Sequence, residues 1–229
     1  MEIKKPKEII LDLLTDKYAV KRIAFENTQK VFEKIKVECQ KIASEYNNEL
    51  LYKGSESLIH FKDKGMFDAD LQLADDLLVF SFHSNIFNFD KSHNVWKSSY
   101  LHTEPNASYC GVINIYNFLS DSFKFNRQND AGYLVARIYV NKDNHYFVEG
   151  KRQLGFLYND FINAVIDEQS IRNIIESTIL FTLDFDLLVP EYNSVSTITV
   201  AQMIESINNS KIQTAKRLGF HFTADTNEI

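Results

Sequence analysis

Residues 130–161 read DAGYLVARIYVNKDNHYFVEGKRQLGFLYNDF, and this stretch decides the fold class. Tyr133 to Val140 alternates apolar, aromatic and β-branched side chains that suit a pleated surface. The polar turn Asn141-Lys142-Asp143-Asn144 then reverses the chain into His145 to Glu149. The pattern predicts a β-hairpin, set near the middle of an aromatic-rich antiparallel sheet. It places Arg137 between Val135 and Tyr139 on one face of a strand, and ends in Val148-Glu149-Gly150-Lys151, a carboxylate two residues before an amine.

Upstream, the same period-two signal recurs. Ser57, Ile59 and Phe61 alternate with Leu58, His60 and Lys62. Phe67, Ala69, Leu71 and Leu73 alternate with Asp68, Asp70 and Gln72, and Leu77 to Phe82 is apolar on both faces, as a central strand is. Val112 to Phe118 adds another strand, after a polar stretch at 88–108 that is too long for an ordinary hairpin connection and is therefore either functional or floppy.

The ends of the chain read differently. Ile9, Ile10, Leu13 and Leu14 share a helical face, and Thr15-Asp16 offers caps for a second, long helix with a stripe from Val20 through Ile35 and Ile42 to Leu50. That stripe suits packing on a sheet, with a homodimer contact as the alternative. From Leu157 a helical pattern runs through Phe161, Ile162, Val165 and Ile166, and Asp167 to Ser170 interrupts or caps a helix through Ile174 and Ile175. Residues 178–189 fit either a strand or a buried helix, with the strand preferred, and Thr199 caps a last helix to about Leu218.

The expectation is a single α+β domain over residues 1–229: a helical part at 1–50, an antiparallel sheet of about six strands at 51–150, and a mostly helical part at 151–229. With 7 Gly and 3 Pro the chain has little room for linkers, and 18 Phe with 11 Tyr favour sheets and cores. A net charge of −6, with no basic run beyond Lys4-Lys5-Pro6-Lys7, argues against a broad nucleic-acid footprint. No apolar window approaches the length of a membrane span, Glu2 stands where myristoylation needs glycine, and Cys39 and Cys110 form no metal-ligand spacing. These features predict a cytoplasmic protein without membrane attachment and with no cofactor.

Two acidic patterns carry the alternative of chemistry. Gly54-Ser55 followed by Asp68-Ala69-Asp70 resembles the outline of a nucleotidyltransferase site, in which a Gly-Ser turn holds phosphates and strand carboxylates hold magnesium. The chain departs from that pattern, since Ser57 to Phe61 reads as extended where the family has a helix, and Lys53 replaces an apolar residue. Glu149-Gly150-Lys151 is similar to the Glu-x-Lys element of metal-dependent restriction-type nucleases, whose upstream carboxylate here would be Asp130, Asp143, Glu45 or Glu49. Together these imply an alternative: a Mg2+-dependent phosphoryl-transfer enzyme or nuclease using Asp68/Asp70 or Glu149/Lys151, with Asp68, Asp70 and Glu149 as metal ligands.

The alternation also puts His60, Asp70, His83, Asn114, Tyr116, Arg137 and Tyr139 on one sheet face, where rings and a few polar groups suit a ligand. With no GxSxG, HExxH, GxGxxG or Walker loop in the chain, the leading expectation is a binding or protein-interaction module without catalytic activity.

Overall fold

The computed structural model describes residues 5–125, 127, 130–185, 197, 199 and 200. Six strands, β1 (Ile59–Asp63), β2 (Asp68–Leu73), β3 (Asp76–Phe82), β4 (Cys110–Leu119), β5 (Tyr133–Asn141) and β6 (Tyr146–Gly150), form one antiparallel sheet whose spatial order is the order of the chain. The helices are α1 (Pro6–Asp12), α2 (Tyr18–Tyr52), α3 (Ser99–Thr103), α4 (Ser120–Lys124), α5 (Leu154–Leu157) and α6 (Glu168–Leu183). This is the expected α+β architecture.

Alternation along the strands gives the sheet its inner face. Ala69, Leu71, Leu78, Phe80, Ile113, Ile115, Ile138 and Val148 are buried there against Val31, Phe32, Ile35, Cys39 and Ile42 of α2 and Ile171, Ile174, Ile175 and Ile179 of α6. Polar clips fix where α2 lies. Asn27 Nδ2 donates to the Lys142 carbonyl at 2.8 Å, and the Asn47 amide brackets Ile59, donating to its carbonyl at 2.8 Å and accepting its N–H at 2.7 Å. The buried Lys36 ammonium donates to the Gly65 carbonyl at 2.6 Å and pairs with Asp63 at 3.2 Å. A single arginine joins the two covering helices, because Arg172 of α6 reaches Glu38 at 3.0 Å, Glu45 at 2.6 Å and Glu176 at 2.8 Å.

The structure corrects four expectations. Residues 178–183 belong to α6, since Ile171, Ile174, Ile175, Thr178, Ile179 and Thr182 are buried at helical spacing while Phe181 is only half-buried and Leu183 exposed. The Thr178 hydroxyl donates to the Ile174 carbonyl, and Asp167 caps the helix by accepting the Ser170 N–H at 2.7 Å. The opening hairpin is not central, because β5 and β6 end the sheet and the outer edge of β6 is met by irregular chain: Val148 N–H donates to the Tyr158 carbonyl and Tyr146 N–H to that of Ala164. Those bonds hold 158–166 as irregular chain with a turn at 161–163 in place of the expected helix. At the N-terminus, Thr15 starts no new helix; the chain passes from α1 to α2 through a π-helical turn, Leu13–Lys17, and the Thr15 hydroxyl donates back to the Leu11 carbonyl. The helix expected from Thr199 to Leu218 lies outside the described residues, apart from its first positions.

Two tests follow from this packing. A Cβ at Gly111 would stand 2.1 Å from Thr28 Oγ1, where β4 meets α2, so Gly111→Ala is expected to lower unfolding free energy by about 2 kcal/mol in urea titrations. The hydrogen bond from Arg172 holds the Glu45 carboxyl below its usual range, and the Gly65 N–H, followed by Lys36, does so for Asp63. Both folded values are depressed, so their contributions are complete above the ordinary carboxylate range of about 4 and vanish as pH falls through the lowered values. Arg172→Met should therefore flatten the acid limb of a stability–pH curve.

Candidate functional site

The outer face of the sheet over β4 to β6 is covered by the connection at 88–108. That connection is ordered rather than floppy: it contains 3-10 turns at Asn94–Lys97 and Pro105–Ser108 around α3. Val95, Leu101 and Ala107 are buried on Cys110, Val112, Tyr139, Phe147 and Phe161, with Phe89, Trp96 and Tyr100 packed at the rim. Asn141 anchors the arrangement, donating to the Ala107 carbonyl at 3.1 Å and the Tyr100 hydroxyl at 3.0 Å while its Oδ1 accepts the N–H groups of Asp143 and His145 in the hairpin turn.

Where this cover meets the β6 edge, the register sets Arg137 opposite Glu149 and Tyr139 opposite Phe147. Arg137 Nη2 lies 2.6 Å from Glu149 Oε2, and the Tyr139 hydroxyl donates to the same oxygen at 2.9 Å. The other oxygen, Oε1, is 3.4 Å from His93 Nε2, and the His93 ring stacks on Phe89 at 4.8 Å. The Tyr139 ring lies parallel to Phe147 at 4.7 Å, so its phenol is fixed at Glu149. Burial first, and then the Glu149 charge, push the Tyr139 phenol up, which keeps it a hydrogen-bond donor at neutral pH. Glu149 and His93 open onto a cleft of about 500 Å³, lined also by Asn94, Ser98, Phe147, Asn159, Asp160 and Ile162. Its far wall is held close by Gly155, whose Cα sits so near the Gly150 carbonyl that a Cβ there would come within 2.6 Å of it.

Compared with protein-family models, curated proteins and solved structures, the chain matches none of them. The site is therefore read from its own chemistry.

The ladder places His60, Asp70, Asn114, Tyr116, Arg137 and Tyr139 on one face, spread over four strands rather than round one pocket, and His83 lies just past the end of β3. Only Arg137 and Tyr139 reach the cleft cluster. His60 is exposed on the edge strand, His83 accepts the Asn85 N–H and packs edge-on to Phe87, and Tyr116 neighbours Phe118. Asp70 is buried against Lys64 at 2.5 Å, with Oδ1 left without a partner, so Arg137 has Glu149 and not Asp70 as its carboxylate.

The acidic motifs are similarly dispersed. Gly54-Ser55 follows the end of α2 and leads into extended chain, and Asp68 sits at the start of β2 opposite Ser81. Three of the four upstream carboxylates considered for Glu149-x-Lys151 are engaged elsewhere, Asp130 with Ser122 and Arg127, Asp143 with Tyr100 and Lys142, and Glu45 with Arg172, and the fourth, Glu49, is exposed near the end of α2. Among the described residues, no three His, Cys, Asp or Glu side chains converge as a metal centre requires. His93, Asn94, Ser98, Asn159 and Asp160 are the cleft residues that the sequence did not single out. The length of the 88–108 connection was the signal for His93, Asn94 and Ser98, while Asn159 and Asp160, after α5, carried none.

Replacing Glu149 by Gln removes a negative charge beside the Tyr139 phenol but leaves its burial. In an ultraviolet titration differenced against Tyr139→Phe, Glu149→Gln is expected to lower the Tyr139 transition while keeping it above the ordinary tyrosine value of about 10.

Proposed function

We propose that this protein is a non-enzymatic binding module that takes a small polar ligand in the cleft beside β6. The observation that carries the reading is the posture of Glu149. Arg137 and Tyr139 both bond Oε2, so the carboxylate is oriented before any ligand arrives, and Oε1, with the longer 3.4 Å approach of His93 Nε2, is the oxygen that a ligand in the cleft can share. Asn94, Asn159 and Ser98 add amide and hydroxyl groups, and Phe147, Phe161 and Ile162 supply apolar wall, the mixture that fixes a ligand's orientation and excludes water. Two buried, free cysteines, Cys39 and Cys110, accord with a cytoplasmic setting for this role.

The same posture weighs against the phosphoryl-transfer alternative. A Mg2+ ion at Glu149 would sit beside a guanidinium 2.6 Å from the carboxylate and compete with it directly. Calorimetric titration with Mg2+ and Mn2+ separates the two readings, since site-specific binding that disappears in Glu149→Ala or Asp70→Ala would overturn the non-catalytic one.

The cleft is tested by amide-resolved NMR with a library of small amides, amines and sugars. Shifts at Asn94, Ser98, Gly155 and Asn159 are expected, and Ile162→Trp, which fills the cleft from an exposed position, should abolish them. A library that leaves those amides unmoved removes the cleft from consideration.

A further inference from the structure

We propose that the ligand of the cleft beside β6 is an uncharged polyhydroxyl compound of monosaccharide size, an inference that rests on the reading of that cleft as a binding site. Charge decides the class. Glu149 and Asp160 are the carboxylates of the cleft wall, and neither lysine nor arginine lines it. An anionic ligand would give up its hydration to face carboxylates and would gain no cationic donor in return. The Arg137 guanidinium is committed to Glu149 Oε2 at 2.6 Å.

Cations are disfavoured for the opposite reason. Arg137 offsets the charge of Glu149, so an ammonium group placed at that carboxylate meets a guanidinium as well. His93 adds a further donor: its Nδ1 accepts the Val95 N–H at 3.2 Å, which leaves the proton of the neutral ring on Nε2, 3.4 Å from Glu149 Oε1. Asp160 exerts little pull on a cation, because it is exposed to water and both its oxygens accept from the Asn163 side-chain amide at 3.2 Å.

Hydrogen bonding is left as the attraction, and it is offered at several points at once. The side chains of Asn94 and Asn159 make no hydrogen bond among the described residues, and the Ser98 hydroxyl, which accepts the Leu101 N–H at 3.4 Å, keeps its proton to donate. A ligand that covers these groups together with Glu149 and Asp160 must answer each of them, since a polar group buried without a partner opposes binding. A hydroxyl donates to a carboxylate and also accepts from an amide N–H. A ring bearing several hydroxyls therefore satisfies the whole wall, where a single amide or amine answers one or two of its groups. Its C–H face can pack on Ile162, 39% exposed, and the cleft volume of about 500 Å³ falls within the range of small-ligand sites.

The test titrates the full-length protein with matched compounds and follows the amides of Asn94, Ser98, Gly155 and Asn159 by NMR. Methyl glucoside, methyl galactoside and methyl mannoside are each set beside their 6-carboxylate and 2-amino counterparts, with acetamide and propylamine as ligands bearing one polar group. At least one neutral glycoside is expected to shift these amides, and its two charged counterparts to bind about tenfold more weakly. In Glu149→Gln the Arg137 guanidinium loses its carboxylate, so the 6-carboxylate form should now bind better than the neutral sugar. A merely loosened cleft would weaken both forms alike, and thermal unfolding of the variant reports that its fold is kept; the comparison within the parent protein decides the matter even where it is not. A charged sugar, propylamine or acetamide that binds as well as every neutral glycoside would overturn the inference and leave the cleft standing as a site. So would an unaltered order of preference in folded Glu149→Gln. If no compound of any class moves those amides, the cleft is not a binding site and the inference falls with it.

Discussion

An antiparallel sheet with one apolar face has to be covered, and here a single helix does most of the covering. α2 crosses the strands obliquely, from Asn27 beside the β5–β6 turn to Asn47 beside β1, so one rigid element touches both ends of the meander. Its 35 residues make a rod of about 50 Å, longer than six strands at about 4.8 Å are wide. The excess cannot all lie on the sheet. The first buried residue of α2 is Ala24, and the turns before it reach beyond the packed part of the helix, which is why Tyr18 and Ile23 meet water. The polar clips at Asn27, Lys36 and Asn47 then set the helix's position along its axis, a choice that the apolar contacts alone leave loose.

The opposite face is divided between two different covers. Over β4 to β6 the connection at 88–108 supplies a second apolar cluster, while toward β2 the ring of Phe123 from α4 lies over the Lys64 that pairs with Asp70. The Glu149 cluster stands at the open border of the first cover, where the sheet stops and the chain after β6 folds back. An edge strand is a natural place for a cleft because only one of its sides is committed to the ladder. In this protein the other side is met at Val148 and Tyr146 by loop carbonyls, so the cleft is bounded rather than open as a strand edge would be.

Much of this was legible in the chain. The alternation from Tyr133 to Val140 and from Phe67 to Leu73 identified strands because each has one buried and one wetter face, and the shared face of Arg137 and Tyr139 follows from a spacing of two. α6 was harder to read. Thr178, Thr182 and Asp184 alternate with apolar neighbours by coincidence, and only the buried positions reveal that Thr178 and Thr182 point inward with Ile175 and Ile179. The meeting of His93 with Glu149 could not be read at all, since it depends on how the 88–108 connection returns across β5 and β6. Nor could Asp70's partner be assigned, because Lys64 lies in the turn beside it and both signs of charge are common on an exposed strand face.

The order of the strands has a further consequence. Because β1 to β6 are neighbours in space as they are in sequence, the β1–β2, β2–β3 and β5–β6 ladders are closed by connections of four residues or fewer and β4–β5 by 13, well short of the span between β3 and β4, so less chain entropy opposes their formation. The sheet can thus assemble as two local meanders, β1–β3 and β4–β6, with the β3–β4 pairing as the one slow, long-range step. α2 contacts both meanders, so the helix that covers the sheet can also act as the splint on which its halves are brought into register.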